Sequence, residues 1–224
     1  MIFITYSFEK FIKCGIFFVA IFSLVSCSKS EVPSLPIPKV DKSGLNYFID
    51  KNELLTFSEK SPEMVNQRKL GDFEYTLKQL TPDLMALQEL KGNTSDKKEF
   101  EMAKSHYSDL LYFKFNIQNS QFNKELLKYN LEEPAQYGER VKYCSFSLGK
   151  DFYLTNGQDT VPCALHEFER TFNVGGGLNF LVTFPKINST KNLTVVYHDQ
   201  LFKQGIIKFN YNNEKSHLPY LKIN

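Results

Sequence analysis

The chain has 224 residues and a mass of 26.0 kDa, room for one ordinary domain plus a short extra segment. Hydrophobic residues are 42% and charged residues 23%, which excludes a disordered or collagen-like chain. With 27 Lys+Arg against 25 Asp+Glu there is no electrostatic case for a nucleic-acid partner, and four cysteines are too few for a disulfide scaffold.

The chain starts unevenly. Residues 1–26 hold 18 hydrophobic residues and three charges, Glu9, Lys10 and Lys13. The two lysines precede a 12-residue apolar run from Cys14 to Val25. That length suits a signal-peptide core and is short for a membrane span of about 20 residues. The run ends in Leu24-Val25-Ser26-Cys27. This resembles the lipobox of bacterial lipoproteins: an aliphatic residue, a tolerant position, a small residue, then Cys. The resemblance implies cleavage before Cys27, acylation of that cysteine, and membrane attachment through its lipid. Cys14 does not compete, because Lys13 stands where the small residue belongs.

Residues 1–26 therefore read as a lipoprotein signal peptide and 27–43 as a lipidated tether. Pro33, Pro36 and Pro38 favour extended geometry in that tether and deny helix. Ser28 follows the anchor and no Asp does. In lipoproteins of many Gram-negative bacteria this resembles the default for transfer to the outer membrane. The remaining residues, 44–224, carry no internal repeat and no second linker, so one globular domain is expected.

Within the domain, residues 69–80 alternate Phe73, Tyr75 and Leu77 with polar neighbours, which predicts a half-buried strand. Thr81-Pro82-Asp83 is a helix start: a capping hydroxyl, Pro in the first turn and an acid near the dipole's positive end. Gly92 stops that helix. Thr94 or Ser95 caps a second one running to about Tyr107, with Phe100, Ala103 and Tyr107 inward. Residues 109–118 form an aromatic-rich strand, and 122–131 a short third helix. Pro134 and Gly138 mark a loop. Residues 141–148 read as a strand with Cys144, Phe146 and Leu148 on one face. Residues 151–155 and 159–165 flank Asn156-Gly157 as a hairpin. Three more strands follow at 178–185, 192–198 and 205–211. The expected class is α+β and β-dominant: an antiparallel sheet or sandwich of about seven strands with two or three short helices.

Candidate sites are few. Cys144 and Cys163 remain after processing; they are a candidate disulfide pair in an oxidising envelope, or two buried free thiols. His166-Glu167-Phe168-Glu169-Arg170 partly matches the zinc motif HExxH but lacks its second His. If the segment is a strand, His166, Phe168 and Arg170 face one way and Glu167 and Glu169 the other. His106, His198 and His217 show no ligand spacing, and His198-Asp199 reads as a turn start. Gly175-Gly176-Gly177 reads as a plain loop. Asn93, Asn188 and Asn192 stand in N-x-S/T patterns that imply nothing in a bacterial lipoprotein. Asp159-Thr160-Val161 resembles a three-residue O-glycosylation acceptor of some Gram-negative envelope proteins, with Thr160 as acceptor. Residues 164–185 resemble uncharacterised envelope lipoproteins, and that likeness brings no activity and no residue role. No metal or cofactor is expected.

The leading expectation is a non-enzymatic, lipid-anchored protein of the cell envelope. It would sit at the outer membrane through Cys27 and act as a binding or assembly subunit with an envelope protein as partner. One alternative is a glycan or apolar-ligand module using exposed Tyr112, Tyr143, Tyr153 or Tyr197. Another is an envelope hydrolase.

Overall fold

The computed structural model describes residues 48–122, 124–170, 177–188, 191–212 and 218–223. All of them lie in one compact unit spanning Pro38–Asn224. The signal peptide, the tether and Cys27 lie outside the described residues. The described fold is α+β with antiparallel sheets dominant, as its alternation patterns predict.

A short strand β1 (Phe48–Ile49) leads into helix α1 (Lys51–Lys60). Asp50 and Glu53 close a reciprocal capping box: Asp50 Oδ1 accepts from the Glu53 amide at 2.9 Å, and the Asp50 amide donates to Glu53 Oε2 at 3.2 Å. Strands β2 (Val65–Leu70) and β3 (Phe73–Leu80) form a hairpin, so the single strand expected over 69–80 is divided. The divider is Gly71, whose φ of +58° suits the first central position of a two-residue hairpin turn.

Helix α2 (Pro82–Glu89) starts at Thr81, whose hydroxyl accepts from the Leu84 amide, and Gly92 ends it at φ +78°. Helix α3 (Lys97–His106) is capped by Asp96, one or two residues beyond the expected Thr94 or Ser95. Strand β4 (Leu110–Asn119) follows. The helix expected over 122–131 is only a 3-10 turn at Leu126–Lys128.

The largest correction is α4 (Ala135–Phe146), where a loop and then a strand were expected. The inward residues Tyr137, Val141, Cys144 and Leu148 recur at helical spacing. Cys144 and Leu148 are 0% exposed, whereas Phe146, which a strand would have turned inward beside them, is 74% exposed. Pro134 starts this helix rather than a loop.

Strands β5 (Phe152–Thr155) and β6 (Thr160–Pro162) make the expected hairpin. Asn156 Oδ1 accepts from the Gln158 and Asp159 amides at 2.9 and 2.7 Å, and Gly157 takes φ +91°. The arm expected to run on to 165 breaks at Cys163-Ala164. The Cys163 amide donates to Phe152 O and the Ala164 amide to Thr183 O, so successive residues serve different sheets. Strand β7 (Leu165–Glu169) then joins β8 (Leu178–Pro185), and β9 (Asn192–Asp199) pairs with β10 (Gly205–Asn212). Strand β11 (Tyr220–Leu221) pairs parallel with β1.

The result is a sandwich. One sheet has the order β2-β3-β4-β8-β7 and the other β10-β9-β5-β6, with every pairing in these two sheets antiparallel. Phe115 sits at the centre, edge-on to Phe152 and Tyr197 at ring-centroid distances of 5.0 Å. The sheets also meet along one side, where Asn66 Nδ2 and Arg68 Nε of β2 donate to the Asn210 and Lys208 carbonyls of β10 at 2.7 and 3.0 Å. A second, smaller core lies among α1, α2, α3, β1 and β11, around Leu54, Met64, Leu87 and Phe100.

Candidate interaction groove

Inside the sandwich one carboxylate organises a polar centre. Asp199 ends β9 at 1% exposure. Its Oδ2 accepts from the Tyr75 hydroxyl at 2.8 Å and the Gln204 amide at 3.1 Å, and its Oδ1 from the Tyr197 hydroxyl and the Leu201 and Phe202 amides, all at 3.1 Å. Five donors thus answer one buried acid, which offsets its desolvation. Burial, and then the neighbouring Asp199 carboxylate, push the Tyr75 and Tyr197 phenols well above their usual range. Tyr143 extends the network: it bonds Tyr197 and donates to Asp151 Oδ2 at 2.6 Å, and burial is the main cause that raises its phenol too. The expected turn at His198-Asp199 is present. Asp199 holds it shut, with Lys203 and Gly205 at positive φ.

The residues singled out for chemistry do not gather. His166 points inward from β7, its Nε2 3.1 Å from the Cys144 carbonyl oxygen. Glu167 and Glu169 point outward from the same strand. Asp199 belongs to the other sheet's turn, His198 and His106 are exposed elsewhere, and His217 lies outside the described residues, as do Gly175 and Gly176. Among the described residues no three His, Cys, Asp or Glu side chains form a metal-binding group. Cys144 and Cys163 are both free thiols, so the disulfide alternative is not made. Cys144 is buried on α4, and burial pushes its thiol up to about 12 against an opposing pull from Arg140. Cys163 is half-buried between the sheets, its Sγ donating to Leu165 O at 3.1 Å. Thr160 is exposed at the first position of β6.

The four tyrosines of the ligand-binding alternative do not form an exposed row, although Tyr143 bonds Tyr197. Tyr197 is buried, Tyr143 is tied to Asp151, and Tyr112 packs edge-on against Tyr107 at 5.4 Å. Tyr153 is 38% exposed on β5.

Alternation along the strands predicts a polar outer face on the five-stranded sheet, but not that α1 and α2 wall one end of it. Together they enclose a groove of about 520 Å³. In register, Lys78 of β3, Lys114 of β4, Leu181 of β8 and Glu167 of β7 lie side by side across its sheet wall. At about 4.8 Å per strand this row spans roughly 14 Å. Leu55, Leu80, Leu84 and Met85 supply apolar lining. Lys51 and Lys91 stand at the helix end, where Lys51 Nζ donates to Gly92 O at 3.2 Å. Lys78 pairs with Glu59, and Lys114 with Glu169 at 3.5 Å. The arrangement combines apolar lining with charged groups of both signs.

No protein family, curated protein sequence or solved structure matches this chain.

Proposed function

We propose that the chain is a lipid-anchored protein of the cell envelope, held at the outer membrane through Cys27, and that its domain is a non-enzymatic binding or assembly subunit. The observation that carries this reading is the Leu24-Val25-Ser26-Cys27 sequence behind an apolar core, followed by the proline-spaced stretch 28–43. The domain adds two supports. Of the residues a hydrolase would have had to gather, Glu167 and Glu169 point outward from β7, His166 points inward from it, and Asp199 is buried at the end of β9. The open, two-signed groove suits a partner's surface better than an enclosed small ligand. The partner is an envelope protein. A glycan module built on stacked tyrosines is less well supported, because Tyr112, Tyr143 and Tyr197 are committed to internal contacts.

Mass spectrometry of the mature N-terminus tests the anchor. Acylated Cys27 is the expected result, and Cys27→Ala should release the protein from the membrane fraction. An unmodified terminus at another position would refute the anchor.

A further inference from the structure

The annex carries a small aromatic patch beside the start of the described chain. Strands β1 and β11 pair in parallel, with Phe48 opposite Tyr220 and Ile49 opposite Leu221. Side chains alternate along a strand, so each pair takes one face. Ile49 and Leu221 turn into the annex core at 7% and 6% exposure, whereas Phe48 and Tyr220 turn out at 61% and 38%. Their ring centroids are 5.8 Å apart. Lys104 Nζ stands 5.4 Å from the centroid of the Tyr220 ring. Lys222 is exposed and follows Tyr220 at the two-residue period, its amide extending the ladder by donating to Ile49 O at 2.8 Å. Two neighbouring acids are committed internally: Asp50 caps α1, and Asp83 accepts from Lys104 and from the Leu221 amide. Outward aromatic rings beside lysine are the chemistry of a membrane–water boundary, where rings enter the apolar edge and polar tips stay wet.

We propose that Phe48 and Tyr220 dip into the lipid surface that carries the Cys27 anchor, with Lys222 at the headgroups, and so fix which side of the domain meets that membrane. This rests on the lipoprotein reading above and adds an orientation to it. The occupant is a lipid surface for two reasons. The first is where the chain leads. Phe48 stands 21 residues after Cys27, so the anchor holds the domain at the patch itself. A stretch of that length reaches at most about 75 Å when fully extended, which keeps the patch within that distance of the lipid. The second is area. Two aromatic side chains bury about 150–250 Å² each, well short of the roughly 800 Å² per partner of a stable protein interface. So small a contact is weak between free molecules. It suffices for a domain already tethered, because the tether keeps the effective concentration of lipid high.

The chain has no tryptophan, so Phe48→Trp places a single fluorescent reporter in the patch. Phe146→Trp is its control, on α4, which packs against the sandwich core and not the annex, and at a position that is 74% exposed. Both full chains are reconstituted in phosphatidylcholine vesicles with brominated lipid as quencher, with and without phosphatidylglycerol. The Phe48→Trp reporter should lose about half its emission or more, and the Phe146→Trp reporter about a tenth or less. Adding Tyr220→Ser should cut quenching of the Phe48→Trp reporter about two-fold, and adding Lys222→Glu should cut it only where phosphatidylglycerol is present. Equal quenching of the two reporters, no quenching of the first, or no effect of Tyr220→Ser overturns the proposal. So does a blue shift of the Phe48→Trp emission that follows protein concentration without lipid, since it assigns the patch to a contact between copies of this chain. The anchor is read separately, by mass spectrometry of Cys27 in the same sample. Where Cys27 is unmodified, the Phe48→Trp chain is held instead by an N-terminal histidine tag on nickel-chelating lipid, and the same quenching decides the patch.

Discussion

The sandwich and the helical annex are held together by different means. The sandwich is closed by aromatic packing around Phe115 and by a buried acid, Asp199, that takes one donor from the distant Tyr75 and four from within five residues of itself. The annex of α1, α2, α3, β1 and β11 has a smaller core. It relies on local caps and on one partly buried ion pair. Asp83 Oδ1 accepts from Lys104 Nζ at 3.1 Å and from the Leu221 amide at 3.2 Å, joining α2 to α3 and to β11. The difference teaches where rigidity lies. Distant strands converge on the sandwich centre, whereas most annex contacts join neighbouring segments. The candidate groove uses both, with its sheet wall from one and its helical wall from the other.

The sharpest way to break this comparison is to empty each core. Phe115 and Phe100 are both 0% exposed. Phe115→Ala should cost about 3–5 kcal/mol of global stability, read as a lower denaturant midpoint. Phe100→Ala removes similar chemistry, but it should first loosen α2 and α3, read as local loss of amide-exchange protection. Equal global loss from both would show that annex and sandwich unfold as one body.

Asp199→Ala should cost about 3 kcal/mol, because it leaves two buried hydroxyls and three amides without their acceptor. Asp83→Ala should cost less, about 2 kcal/mol, since Lys104 is partly exposed and can turn to water. Its effect on amide exchange should be confined to α2, α3 and β11.

Alkaline pH should weaken the sandwich more than the annex. The Cys144 thiol is raised to about 12, and the Tyr75, Tyr197, Tyr143 and Tyr211 phenols are raised as well, burial being the main cause for each. A raised pKa means that the folded state keeps a proton the unfolded chain releases. The resulting stability is therefore full below the unfolded thiol pKa of about 8.5 and is lost as pH climbs through that value and through the unfolded phenol pKa of about 10. Equilibrium unfolding between pH 7 and 11 should show this decline, and a flat profile would contradict it. Thiol titration of the native chain at neutral pH should find Cys163 before Cys144. The smallest expected effect is Asp50→Ala, about 1 kcal/mol or less, from loss of the α1 capping box.

Some of this was plain in the residues and some was not. Thr81-Pro82-Asp83 and Asn156-Gly157 act through bonds within three residues, so their helix start and hairpin survive any tertiary setting. The Asp50-x-x-Glu53 signature of α1 works in the same way, and it is the signal by which α1 could have been found. The alternation in β3, β4, β8 and β10 is clear because each strand has one face in the core. Residues 141–148 misled because Cys144, Phe146 and Leu148 satisfy a two-residue period, while Val141, Cys144 and Leu148 satisfy a helical one. Only the position of Phe146, turned to solvent, decides between them. The groove had no local signature. Lys78, Lys114 and Glu167 lie far apart in sequence and share a row only through strand register.

By itself the sequence determined the local features of the domain: the caps, the hairpin turn and the alternation of most strands. These depend on interactions between near neighbours or on the side-chain period of a single element. The tertiary structure decided which strands share a sheet, that 135–146 is a helix, that Cys144 and Cys163 stay apart as thiols, and that Asp199 is a buried anchor. Sheet partners and the Tyr75–Asp199 bond depend on contacts between residues distant in the chain, and the helix at 135–146 on which of two competing local periods the packing selects.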